Sequence, residues 1–135
     1  MSKGEDAEQR MVIEWSRWHE QEYPELKWLF HCPNGGFRNA WEAAKFKKLG
    51  VKAGVSDLQL PAPKGIYHGL FIEMKYGNNK LQDTQKEFLA DMSAAGYFVV
   101  TCYTGDLAIE VLEKYLGLGE GEEMEIENNI SLKVS

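Results

Sequence analysis

The stretch Gly69-Leu70-Phe71-Ile72-Glu73-Met74-Lys75 decides how the chain folds. Its apolar and β-branched composition is that of a strand, yet it ends in an acid, a methionine and a lysine. Side chains alternate across a strand, so Glu73 and Lys75 project to one face while Leu70, Ile72 and Met74 project to the other. A carboxylate and an ammonium therefore stand side by side. Upstream, Val55-Ser56-Asp57-Leu58-Gln59-Leu60 reads as a second strand, and Pro61-Ala62-Pro63-Lys64-Gly65 marks the turn between the two. The expected antiparallel hairpin brings Asp57 toward Glu73.

Helices are expected on both sides of this hairpin. From Glu5 to about Glu22, Met11, Val12, Trp15 and Trp18 recur at helical spacing, with Pro24 as a stop signal. Leu26 to His31 suits a short strand, and Pro33-Asn34-Gly35-Gly36 breaks the chain. Asn39 to Leu49, rich in Ala, Lys and Glu, forms a second helix that Gly50 closes. Beyond the break at Tyr76-Gly77-Asn78-Asn79, Asp83 to Ala95 is a helix ended by Gly96, and Tyr97 to Tyr103 is a strand buried on both faces. Asp106 caps a last helix to about Leu116. The order α-β-α-β-β-α-β-α describes an α/β domain, a small mixed sheet flanked by helices, over residues 1–116. The Gly-rich acidic tail, 117–135, either ends in a strand around Ile130 to Val134 or stays mobile.

With 135 residues, 44% of them apolar, the chain can build one real core. No stretch reaches the roughly 18 apolar residues of a membrane span, and the start lacks the apolar segment of a signal peptide, so a cytoplasmic protein is expected. Cys32 and Cys102 show no ligand spacing and read as small hydrophobes. His19, His31 and His68 are scattered, which argues against a histidine metal centre. The net charge of −6 is uneven: after Leu116 five glutamates face only Lys133, a net of −4. Between Arg38 and Lys52, by contrast, Arg38, Lys45, Lys47, Lys48 and Lys52 face only Glu42. This is a local basic surface for phosphates or an ordinary solvated helix face.

Asp57 and Glu73 are hard oxygen ligands of the kind that hold Mg²⁺ or Mn²⁺ while leaving positions for water and a phosphate. Such a metal activates water and offsets charge on a phosphoryl transition state. Lys75 adds a cation beside it, and the backbone carbonyl of Met74 is a plausible further ligand. The plain alternative is a strand-edge ion pair beside a turn aspartate, because a bare acid-x-Lys is common.

The surrounding pattern resembles the VRR-NUC family, the virus-type replication-repair nucleases of the PD-(D/E)XK superfamily. The matching residues are Pro33-Asn34-Gly35-Gly36 with Arg38, Gly50-Val51-Lys52-Ala53-Gly54-Val55-Ser56-Asp57-Leu58, Gly69 to Lys75, and Gln85 in the following helix. The resemblance implies a divalent-metal DNA endonuclease in which Asp57 and Glu73 bind metal, Lys75 is catalytic and Gln85 supports the site. It also implies a glutamate from the first helix, for which Glu5 with Gln9 is the best match and Glu8 a neighbouring candidate. Ser56 stands where the superfamily motif has proline, a position at which the family varies.

Lys52-Ala53-Gly54-Val55 puts small residues before Asp57, for close approach of a phosphate backbone or simply for a tight helix-to-strand link. Asn34, Gly35, Gly36 and Arg38 are expected either to contact DNA or to form a plain turn, and Lys45, Lys48 and Lys52 extend that surface. Compact members of the family look like viral or phage enzymes that act on branched DNA as homodimers. The expected activity is therefore resolution of four-way (Holliday) junctions, with two sites related by a two-fold axis. Flap, nick or duplex cleavage, or a non-catalytic DNA-binding module, are the alternatives. A small-molecule α/β enzyme would need a phosphate loop, and neither GxGxxG nor GxxxxGK[ST] is present.

Overall fold

The structure, a computed structural model, describes residues 3–33 and 39–134. In chain order its elements are α1 (Lys3–Trp18), a 3-10 turn (Pro24–Trp28), β1 (Phe30–His31), α2 (Ala40–Lys48), β2 (Leu58–Leu60) and β3 (Leu70–Met74). They are followed by α3 (Asp83–Ala94), β4 (Phe98–Cys102), α4 (Gly105–Leu116) and β5 (Ile130–Leu132). The strands form one mixed sheet in the order β1-β2-β3-β4-β5. β1, β2 and β3 pair antiparallel, while β3-β4 and β4-β5 are parallel pairs connected through α3 and α4. This is the expected α/β architecture.

The hairpin register is Leu58↔Ile72, Gln59↔Phe71 and Leu60↔Leu70. Leu58, Leu60, Leu70, Ile72 and Met74 turn to one face with Phe98, Val100 and Cys102, where they meet Val12 of α1 and Ala108, Val111, Leu112 and Tyr115 of α4. On the opposite face Phe71 meets Phe88 of α3 edge-on and also contacts Tyr97. The strand that looked half apolar is therefore covered on both sides.

Several expected boundaries shift for local reasons. α1 ends at Trp18 rather than Glu22: the His19 N–H is shared between the Trp15 and Ser16 carbonyls, which tightens the last turn, and the His19 ring Nδ1 lies 2.7 Å from the same Trp15 carbonyl. Pro24, expected only to stop a helix, begins the 3-10 turn, where a missing N–H and a fixed φ cost nothing. That turn takes Leu26 to Trp28 out of the expected strand and leaves Phe30–His31. α4 is capped by Thr104, whose hydroxyl accepts the Leu107 N–H, and not by Asp106. Asn39 caps α2, and Gly50 and Gly96 follow α2 and α3 with φ of +99° each.

Of the two alternatives for the tail, the strand is the one adopted, running parallel to β4 over Ile130–Leu132. Its approach is pinned inside the domain. Met124 is buried and its N–H donates to Tyr67 Oη, while the Asn128 side chain pairs with the backbone of Val99 and Tyr97. Cys102 is buried, Cys32 half-buried, and both are free thiols. No described helix is long and apolar enough to cross a membrane.

Tyr115 ties this arrangement together, since its buried hydroxyl donates to the Ala62 carbonyl in the turn before β3 at 2.6 Å. Tyr115→Phe keeps the ring but strands a buried carbonyl, a loss of about 1–3 kcal/mol. Urea denaturation should show a lower midpoint with an unchanged slope.

Candidate active site

The β2–β3 ladder stops at Leu58↔Ile72, and its register continued by one residue sets Asp57 opposite Glu73. Cross-strand partners share a face. Where a further ladder bond would fall, the Asp57 side chain takes over: Oδ2 accepts the Met74 N–H at 2.7 Å. The Asp57 carbonyl accepts the Cys32 N–H at 2.9 Å and lies 2.9 Å from His31 Nδ1. Asp57 is thus fixed from both neighbouring strands. A strand residue's N–H and C=O point the same way, so the Met74 carbonyl faces the β2 side, where Asp57 lies.

Glu73 is 2% exposed and Lys75 7%. Gln85, in the first turn of α3, donates from Nε2 to Glu73 Oε2 at 3.3 Å. Its Oε1 accepts the Gln82 N–H at 2.8 Å, which fixes which end of the amide faces the glutamate. The helix cap and the support of Glu73 are the same side chain.

The two candidate glutamates of the first helix meet different partners. Glu8 Oε1 accepts the Gly105 N–H at 2.7 Å, so Glu8 satisfies the N-terminus of α4. Glu5 is buried, and its charge acts on Glu73. Asn79 Nδ2 donates to Glu5 Oε1 at 3.4 Å, and the Asn79 carbonyl in turn accepts Tyr103 Oη at 2.7 Å. The Tyr76 ring lies against Gly4, leaving no room for a Cβ there. From the tail, Lys133 Nζ reaches Asn78 Oδ1 at 3.5 Å and sits 5.0 Å from the Tyr103 ring centre. Asn79, Tyr103 and Lys133 were not expected at the site. In the sequence Asn79 signals only a turn, and its link to Glu5 spans 74 residues.

Burial pushes the Glu73 carboxyl up to about 10, with the adjoining Asp57 carboxylate raising it next, through a hydrogen bond and through its charge. The Glu5 carboxylate adds to the shift, and the Lys75 ammonium opposes it. Glu73 Oε1 is buried without a hydrogen-bond partner among the described residues. Two adjoining carboxylates, one with an orphaned oxygen, suit a shared proton or a hard cation. The donor set therefore fits Mg²⁺ or Mn²⁺. Among the described residues no three acidic, histidine or cysteine side chains form a closed metal cluster. Mg²⁺ commonly takes one or two carboxylates and fills its remaining positions with water and phosphate oxygens, so an open set is compatible with it.

The expected DNA contacts divide. Lys45, Lys48 and Lys52 are exposed, the first two on α2. Gly54 is buried, with φ +88°, and a Cβ there would run into the Thr84 carbonyl. Its smallness serves the tight link against α3. Asn34, Gly35, Gly36 and Arg38 lie outside the described residues.

The VRR-NUC domain profile matches residues 3–106. A solved structure described as a "VRR_NUC domain protein" is 35% identical, with a TM-score of 0.76 over 93% of this chain and 99% of that one. No curated protein matches the chain.

Glu73 should make stability depend on pH. Its pKa is raised on folding, so the folded chain holds a proton that the unfolded chain releases; the associated stability is present below the ordinary value of 4.5 and is lost as pH rises toward about 10. A divalent cation bound at Glu73 would replace that proton and would stabilise the fold by about 2.7 kcal/mol at 100 times its dissociation constant. Thermal melts should therefore show a larger Mn²⁺-induced rise in Tm at pH 8.5 than at pH 6. Glu73→Gln should flatten the pH dependence and abolish most of the Mn²⁺ increment. An increment of equal size at both pH values would refute the assignment.

Proposed function

We propose, starting from the fact that this chain belongs to the VRR-NUC domain family and so has a nuclease-type DNA-processing function, that it is a divalent-metal-dependent endonuclease of branched DNA. The observation that carries the reading is the convergence of Asp57, Glu73 and Lys75 at one strand end, with Glu73 Oε1 left unpartnered. An ion pair built for stability alone would not need a second buried carboxylate against the first.

In this reading Asp57, Glu73 and the Met74 carbonyl hold Mg²⁺ or Mn²⁺, and Glu5 faces the same centre from α1. When bound, the metal supplies a nucleophile at neutral pH and Lewis-acid stabilisation of the phosphoryl oxygens. The remaining work falls to the chain. Asp57 is held by the Met74 N–H, so one of its oxygens is oriented before any ligand arrives. Gln85 keeps Glu73 Oε2 turned toward α3, which leaves Oε1 for the metal. Lys75, buried beside the acids, holds its ammonium within reach of a non-bridging phosphate oxygen or the attacking water, and its attraction for negative charge is stronger in so dry a setting.

The substrate proposed is the four-way junction, cut by a homodimer whose two-fold axis places one centre on each of two opposed strands. The exposed Lys45, Lys48 and Lys52 supply phosphate contacts that a chain of net charge −6 needs to concentrate locally.

Labelled four-way junction, flap and linear duplex DNA, incubated with Mg²⁺, Mn²⁺ or EDTA, test this directly. Junction cutting with metal should fall at least a hundredfold in Asp57→Ala and Lys75→Met, with both variants folded by circular dichroism. Cutting of flap or duplex alone would keep the site and discard the junction. Tight DNA binding without cleavage at saturating metal would leave a binding module.

A further inference from the structure

We infer that α2 carries a stacking site for an unpaired nucleobase, with the Trp41 indole taking the base and Lys45 and Lys48 the phosphates on either side. The inference rests on the reading of the protein as a DNA nuclease, and it names what in the DNA the enzyme engages. α2 is nine residues long and none of them is buried. Trp41 is 72% exposed and Leu49 69%. A helix normally turns its large apolar residues toward the core, and an indole can bury roughly 150–250 Å² when it does so. Here Trp41, and Leu49 at the C-cap, face outward, while Phe46 is half-buried.

The exposed groups are arranged. Trp41, Ala44, Lys45 and Lys48 follow one another at helical spacings of three and four residues and so form one stripe. With Leu49 they line an open groove of about 430 Å³. Lys45 Nζ lies over the Trp41 ring, 5.5 Å from its centre, and the side chain still leaves most of its surface free for a base.

Charge and size select the occupant. Lys45, Lys47 and Lys48 face only Glu42 along the helix of an otherwise acidic chain, so an anion is favoured there. An anion that also presents flat aromatic faces is a nucleic-acid strand with open bases; alternating cations and an exposed aromatic ring are what such strands bind. A protein partner would need about 20–30 residues a side, and the groove offers five, the scale of a nucleotide subsite. Bases inside a duplex have both faces covered by their neighbours. Only a flap, a gap or an opened branch point offers one to Trp41. From Leu49 the chain reaches Asp57 in eight residues, so a strand seated on α2 is tethered close in sequence to the centre that would cut it.

The test uses the full-length protein in EDTA, with flap DNA carrying 2-aminopurine in the unpaired arm and a fully paired duplex as control. Wild type should quench the 2-aminopurine on binding. Trp41→Ala should lose the quench and weaken flap binding roughly 5- to 150-fold, the value of one base–aromatic stack, while duplex binding changes less than twofold. Trp41→Phe, which keeps a ring, should restore most of both. Equal quenching and affinity in wild type and Trp41→Ala would overturn the stacking site, and junction cleavage by wild type would show that the nuclease reading survives it. A Trp41→Ala variant that only changes the mass seen by light scattering would overturn it in favour of a contact between copies. Wild type that neither binds nor cuts any DNA would overturn both.

Discussion

Glu73 is an acid buried beside another acid, at the end of a strand whose neighbours are apolar. Left alone, that arrangement is unfavourable, because desolvation and like charge both act against the ionised pair. The rest of the fold holds it in place. β2 fixes Asp57 by turning a ladder bond into a side-chain bond to the Met74 N–H, and α3 fixes Glu73 through the same glutamine that caps the helix. A large core on the opposite face, with Val12, Ile72, Met74 and Leu112, gives the sheet the rigidity to carry this local cost. A flexible sheet would relax by separating the carboxylates or admitting water between them.

The first helix serves both needs at once. Val12 enters the core, Glu8 satisfies the start of α4, and the charge of the buried Glu5 acts on Glu73. Sliding α1 by one turn would break all three. The turn after β3 closes the arrangement from above, with Tyr76 against Gly4 and Asn79 bonded to Glu5. Tyr103 and Lys133 hold that turn from β4 and β5, so the acidic tail is bound into the structure next to the site it follows in sequence.

Much of this was legible because it is written in local patterns. Period-two alternation gave the hairpin and put Glu73 and Lys75 on one face, and the proline-rich turn gave Asp57 its partner strand. The misread boundaries came from competing local chemistry: a histidine ring on the Trp15 carbonyl, a proline opening a 3-10 turn, a threonine capping α4 in place of Asp106. Glu5 with Gln9 was the better match in the sequence and Glu8 a neighbouring candidate, but which distant element each one meets is not written in local pattern. Gly54 was read either for close approach of a phosphate or for a tight helix-to-strand link, and the structure shows its Cα packed against Thr84. Asn79 and Tyr103 carried no signal at all, because a turn asparagine and a strand tyrosine acquire their role only when the chain ends of β3 and β4 lie together.

Glu8 meets Gly105 across 97 residues and Glu5 meets Asn79 across 74. Contacts of such separation close late, since the entropy of the intervening loop is lost before they are gained. On the ribosome, the hairpin bearing Asp57, Glu73 and Lys75 emerges well before Gly105 does. At that point the hairpin lacks the α4 anchor that holds α1 through Glu8. The side chains gathered around Glu73 therefore come from α1, the β2–β3 hairpin and the turn after β3, and they are held in register only once α4 is in place.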